Sequence, residues 1–323
     1  LGAVWSHQTR RPLLLTEHGI YTRERNVELD RAAWLHRDGR RTHASELTID
    51  GATASSLRRM WMGFFRMLAR CAYQQAATIV SLCEVSRRRQ IADGAPADRT
   101  LVVPNGSDAE DLHARVGRAP LRSERREVRI GFVGRVVPIK DVVTFLRACQ
   151  LVSQVVPAAV HIFGPIDEDR PYARRCRRLV AKLGLQNLVR FEGSRTIAPV
   201  YPEIDILVLT SFSEGQPFVI LEAGAAGIPV VATDVGACRE MIEGRTEEDR
   251  RIGASGIVTP LTAPEATAEA IDAEVGYVPI EAEEPSTADA PGTDKVTITM
   301  AGSDTVRYAT AGRSTVTWSA LEE

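Results

Sequence analysis

Between Val128 and Thr233 short apolar, β-branched runs alternate with longer segments of helical period. The pattern predicts strands at 128–134, 159–164, 188–192, 205–210 and 229–233, with helices at 141–154, 170–183 and 217–226. A strand that is apolar at nearly every position, such as Ile204 to Thr210, is buried on both faces, and that is the signature of a parallel sheet covered by helices. The alternation therefore predicts an α/β, doubly wound parallel sheet. Such sheets bind ligands beyond the carboxyl ends of their strands, where Arg135, Gly164, Gly193 and Glu214 fall.

The chain has 323 residues, 44% of them hydrophobic, enough for about two domains. No apolar run approaches the ~20 residues that a membrane span requires, and no charged start precedes an apolar signal core. The five cysteines, Cys71, Cys83, Cys149, Cys176 and Cys238, are scattered without metal-site spacing and read as buried free thiols of a reducing compartment. Of the 40 basic residues only Lys140, Lys182 and Lys295 are lysine, and no motif interleaves aromatic with basic residues, which argues against nucleic acid as a partner.

Ahead of the alternating region, Pro12–Thr16, Thr78–Leu82 and Thr100–Pro104 read as strands, and Ser55–Ala77 as a helix. On that helix Trp61, Phe64, Phe65, Leu68 and Ala72 recur at helical spacing, with Arg58, Arg59, Arg66 and Arg70 at other positions. Packing on a core is the favoured reading and a membrane-surface helix the alternative. Asn105-Gly106 signals a turn before a charged, irregular stretch, so the domains are set at 1–126 and 127–275. Residues 276–323 form an acidic tail, read as linker or disorder with a short hairpin between Lys295 and Trp318.

Three clusters carry chemistry. Gly134-Arg135 closes the first strand of the second domain and Lys140 opens its next helix, so two cations and free helix amides can meet an anion such as a diphosphate. Gly131 and Gly134 are the only glycines there, short of the three-glycine dinucleotide fingerprint. The turn Glu214-Gly215-Gln216-Pro217-Phe218 lets a ligand approach backbone. Glu222 sits in an apolar helix, Phe218 to Gly227, where a carboxylate requires a partner. In the first domain Thr16–Arg25, with His18, Tyr21 and Arg23, reads as a loop following a strand end.

As a set, Gly134-Arg135, Lys140 and the Glu214 to Glu222 spacing resemble the retaining family 4 glycosyltransferases of GT-B fold. Thr16–Arg25, Phe163–Asp169, Glu214–Pro217 and Thr233–Glu240 narrow the resemblance to members that build bacterial exopolysaccharide. It implies two Rossmann-like domains facing a cleft, the first incomplete because the chain begins one strand before His18. It also implies transfer from a UDP-sugar, a UDP-hexose, with no metal and no cofactor, the UDP-sugar being the substrate.

In that resemblance His18 and Glu214 are catalytic, and Gly134, Arg135, Lys140, Gly215, Gln216, Pro217, Phe218 and Glu222 bind the donor. Tyr21, Arg23, Gly164 and Arg195 line the cleft. The partners implied are the nucleotide-sugar donor, a polysaccharide acceptor and a membrane synthase complex contacted peripherally from the cytoplasm, at the inner face of the plasma membrane. Two other readings stay open: a non-catalytic nucleotide-binding module, and a nucleotide-sugar epimerase of the same fold.

Overall fold

The structure is a computed structural model that describes residues 2–31, 56–106, 109–116, 127–195 and 200–277, together with three tail strands. By contacts the chain divides into two compact units. The first is Leu1–Gly106 with the short segments Ser213–Pro217 and Val235–Ala237, and the second holds the remainder.

The second unit is built on six parallel strands, β4 (Val128–Val133), β5 (Ala158–Phe163), β6 (Val189–Gly193), β7 (Ile206–Leu209), β8 (Val230–Thr233) and β9 (Gly256–Thr259). Their spatial order is β6-β5-β4-β7-β8-β9. Counted from β4 this is 3-2-1-4-5-6, the dinucleotide-fold order, whose switch point lies between the first and fourth strands. The carboxyl ends of β4 and β7 thus flank the place where such sheets hold a ligand.

Every predicted strand and helix of 128–233 is present within about two residues of its expected ends. Helices α6 (Val142–Ser153), α7 (Arg170–Lys182) and α11 (Pro264–Tyr277) supply core side chains. Ile130, Phe132, Phe145, Leu146, Ile162 and Ile271 are at most 2% exposed, and the rings of Phe132 and Phe145 are 5.4 Å apart.

Several elements go beyond the sequence reading, among them the short helices α9 (Cys238–Ile242) and α10 (Glu247–Ile252). Strand β9 is only four residues long, and α11 begins at Pro264, a residue suited to a first helical turn. Helix α5 (Ala109–Val116) occupies part of the stretch expected to be irregular, and His113 Nδ1 lies 2.7 Å from the Ala225 carbonyl oxygen.

The first unit contains a parallel sheet ordered β1-β2-β3, from β1 (Leu13–Glu17), β2 (Ala76–Ser81) and β3 (Thr100–Val102). Helices α1 (Gly2–Thr9), α2 (Tyr21–Arg31), α3 (Ser56–Gln75) and α4 (Glu84–Ala92) belong to the same unit. Its core joins Ala69, Tyr73, Ala76, Ile79 and Ala95.

The favoured reading of α3 holds in part: Trp61 and Phe65 are half-buried and pack against Leu29 and Met62, while other positions of the expected stripe face outward. The side chains turned inward are Met62, Ala69 and Tyr73, whereas Phe64 and Leu68 are 42% and 40% exposed. At 100° per residue the apolar positions of α3 cover more than half its circumference, and the described neighbours cover only one side.

The tail strands β10 (Ala282–Glu283), β11 (Thr293–Thr299) and β12 (Thr305–Ala311) pair antiparallel, Thr299 opposite Thr305. The polar stretch at 32–55, the charged residues 117–126 and the acidic residues 284–292 lie outside the described residues.

Candidate functional site

At the switch point of the second unit, β4 exits through Gly134 and Arg135 into a single 3-10 turn, Pro138–Lys140. Asp141 follows with φ 42° and caps α6: Thr144 N and Oγ1 donate to its two carboxylate oxygens at 3.3 and 2.5 Å. Burial raises the Asp141 carboxyl above its ordinary range, opposed by the Thr144 bonds and by Arg147 and Arg175.

This turn is pinned to the exit of β7. Phe212 N donates to Ile139 O at 2.8 Å, and Thr210 Oγ1 donates to Asp141 O at 2.8 Å. Lys140 is half-buried and therefore begins from a backbone fixed on both sides.

Gly134 and Arg135 also lean on the next strand. Gly134 N donates to Phe163 O at 2.8 Å, and Val136 N to Pro165 O at 3.0 Å. Gly164 stands against them with φ +141°, and a Cβ there would overlap the Gly134 carbonyl oxygen. This position admits only glycine.

The Arg135 guanidinium is exposed and donates from Nη1 to Glu168 Oε1 at 2.6 Å. Exposed pairs of this kind hold weakly, so an incoming anion can displace Glu168. Glu168 had no role in the sequence reading. Arg195, placed beside the ligand from sequence, forms a bidentate pair with Glu203 at 2.8 and 2.9 Å and lies over the Phe163 ring.

Glu222 lies one turn inside α8 (Phe218–Ala225). Its partner is the hydroxyl of Tyr201, which donates to Glu222 Oε2. Tyr201 went unrecognised because sequence spacing does not show which side chain meets a helix from a neighbouring turn. Phe218 is 49% exposed at the mouth of α8, and Pro217 is buried just before it.

The short segments grouped with the first unit hold the rest of the predicted turn. Gly215 packs on the backbone of His18, so that a Cβ at 215 would overlap the His18 carbonyl oxygen. Ala237 N donates to Gly215 O at 2.8 Å. Glu214 is half-buried. The Gln216 amide is committed to backbone, its Oε1 accepting from Asn105 N at 2.6 Å. Gln216 therefore braces the turn through its side chain.

His18 is exposed in a bend after β1. Its neighbour Glu17 is fixed by Tyr73 Oη at 2.8 Å and Gln90 Nε2 at 2.7 Å, and burial raises the Tyr73 phenol. The segment after His18 departs from the predicted loop. Tyr21 starts α2, and its ring meets Phe65 edge-on at 6.0 Å with Arg25 over its face. Tyr21 thus serves the α2–α3 contact. Arg23 is half-buried in the same helix, its guanidinium lowered from the ordinary range by burial and then by Arg89.

Residues 127–274 match the family described as Glycosyl transferases group 1. Residues 1–98 match a family described only as a domain of unknown function, DUF3492.

Among curated relatives, a D-inositol 3-phosphate glycosyltransferase of Thermomonospora curvata is 29% identical over 198 residues, covering 56% of this chain and 44% of the relative. An MMP alpha-(1->4)-mannosyltransferase of Mycolicibacterium hassiacum is 26% identical over 261 residues, covering 80% of this chain and 55% of the relative. The chain thus spans about half the length of these relatives.

In fold it resembles HepE of Anabaena in complex with UDP-glucose, with TM-score 0.59 and 22% identity over 85% of this chain and 65% of that one. Sucrose-phosphate synthase of Thermosynechococcus elongatus gives TM-score 0.56 and 20% identity over 84% and 62%. The fold is that of the GT-B glycosyltransferases. Within the matched residues 127–274 the predicted cations, Gly164 and Glu222 occupy the switch-point end of the sheet or the helix that leaves it.

Proposed function

We propose that the chain is a retaining, metal-independent glycosyltransferase that moves a hexose from a UDP-sugar to a growing exopolysaccharide. The observation that carries the reading is the 3-2-1-4-5-6 sheet whose switch point bears Arg135 and Lys140, with Glu222 on the helix that follows β7, in residues that match the Glycosyl transferases group 1 family. Arg135 and Lys140 would meet the diphosphate, whose charge grows as the bond to the sugar breaks. Glu222 would accept from the ribose hydroxyls. Glu214 and the backbone of Gly215 to Phe218 would hold the sugar, with His18 at the anomeric carbon. Retention follows if the acceptor attacks from the face that the diphosphate leaves, giving its proton to the departing phosphate.

The finer resemblance of Thr16–Arg25 and Thr233–Glu240 is to the glycosyltransferase of Pel polysaccharide synthesis, a cytosolic enzyme of biofilm formation. The exposed apolar side of α3 supports peripheral contact with a membrane assembly, since Met60, Phe64, Met67 and Leu68 share that helix with four arginines. No helix among the described residues is long and apolar enough to cross a membrane.

Calorimetry with UDP, run beside assays of UDP-glucose hydrolysis and transfer, tests the reading. Lys140→Ala and Glu222→Ala are each expected to weaken UDP about tenfold or more, the range for one charged hydrogen bond. Glu214→Ala should leave UDP affinity within about twofold and reduce turnover. Unchanged UDP binding in both of the first two variants would overturn the site. UDP binding without turnover would instead support a nucleotide-binding module, since Arg135, Lys140 and Glu222 all lie within the second unit.

A further inference from the structure

Tyr201 opens a 3-10 turn, Tyr201–Glu203, immediately before β7, and its side chain is wholly buried. The turn is fixed from the backbone: Ile204 N donates to Tyr201 O at 3.1 Å, and Arg129 Nη1 donates to Pro202 O at 2.9 Å. Glu222 is half-buried, and one carboxylate oxygen, Oε2, accepts from the Tyr201 hydroxyl. That is the only hydrogen bond the Tyr201 hydroxyl makes among the described residues, and Glu222 Oε1 makes none there.

Phenylalanine would fill the same space, and the one polar atom it would leave without a donor is Glu222 Oε2, so packing does not require the hydroxyl. Its effect is on Glu222. A glutamate has several rotatable bonds, and one tethered oxygen stops most of that motion before a ligand arrives. Burial and the facing carboxylate also keep the phenol protonated, so that it always presents a donor.

We propose that Tyr201 is a positioning residue, which holds Glu222 Oε2 so that Oε1 is presented to the vicinal diol of a nucleotide ribose. The inference rests on the reading that the domain binds a UDP-sugar. It gives the partner that the carboxylate in an apolar helix requires, and it makes ribose recognition depend on a residue that itself touches no ligand.

Calorimetry on the full 323-residue chain with UDP and with 2′,3′-dideoxy-UDP tests it. Tyr201→Phe is expected to weaken UDP about tenfold and to leave dideoxy-UDP unchanged. Glu222→Ala should show the same preference, and the double variant should bind UDP no more weakly than Glu222→Ala alone, as two groups acting in series require. Thermal melting of each variant checks that the fold is kept. If Tyr201→Phe binds UDP as the parent does, or loses affinity for both nucleotides equally, the positioning role is wrong while nucleotide binding stands. If the parent chain binds no UDP, the nucleotide reading falls, and this inference with it.

Discussion

Replacing Gly164 by alanine is expected to destabilise the chain by about 2–4 kcal/mol and to lower UDP affinity more than tenfold, the range of a strained backbone combined with overpacking. The added Cβ would overlap the carbonyl group of Gly134, and φ +141° is itself closed to alanine. A flexible side chain could swing aside, but this obstacle is backbone, tied by Gly134 N to Phe163 O and by Gly164 N to Gly193 O, both at 2.8 Å. Relief would have to pull the Gly134-Arg135 turn off the strand end, which moves Arg135 and the start of the Pro138–Lys140 turn together. Urea unfolding and UDP calorimetry measure the two effects. A variant with the parent's unfolding midpoint and affinity would show that the turn is softer than its hydrogen bonds imply.

Asp205→Ala is expected to cost more stability, about 3–5 kcal/mol, the usual result of leaving one member of a buried ion pair alone. Asp205 is 4% exposed at its side chain and Arg129 12%. The carboxylate accepts from Arg129 Nη2 at 2.7 Å and from the Arg129 backbone N–H at 2.8 Å, so its loss strands both a charge and an amide. The double variant Arg129→Met with Asp205→Leu should recover the part of the loss that comes from the buried charge, while the residue-129 amide stays without its acceptor. Chemical denaturation of the two single variants and the double completes the cycle. Purely additive losses would contradict the coupling. Because Arg129 also holds the Pro202 carbonyl, Asp205→Ala is expected to disturb the turn that carries Tyr201.

Much of this was legible in the sequence. The strands of the second unit announce themselves because they are buried on both faces, as Ile206–Leu209 and Val230–Thr233 are at every position. The residues at strand ends follow from the sheet, so Arg135 and Lys140 could be named before any coordinates. What was hidden depends on contacts that no spacing encodes. The Tyr201–Glu222 bond joins two helical turns through space, and Gln216 reaches Asn105 across 111 residues of chain. Helix α3 misled for a different reason: its apolar arc is so wide that periodicity cannot say which side is inward, and Met62, Ala69 and Tyr73 were turned in while Phe64 and Leu68 were left out. Tyr21 and Arg23 were read as loop because the polar sequence after His18 has little helical amphipathicity to display.

The placement of the thiols has a practical use. All five are free; Cys71 lies exposed on α3, while Cys83, Cys149, Cys176 and Cys238 are at most 1% exposed. Burial also suppresses the thiolate, pushing Cys176 up to about 12. A thiol reagent should therefore react with one site at once and with the other four only as the fold opens. Since Cys83 belongs to the first unit and the other three buried thiols to the second, mapping the order of labelling would time the opening of each unit without any introduced probe.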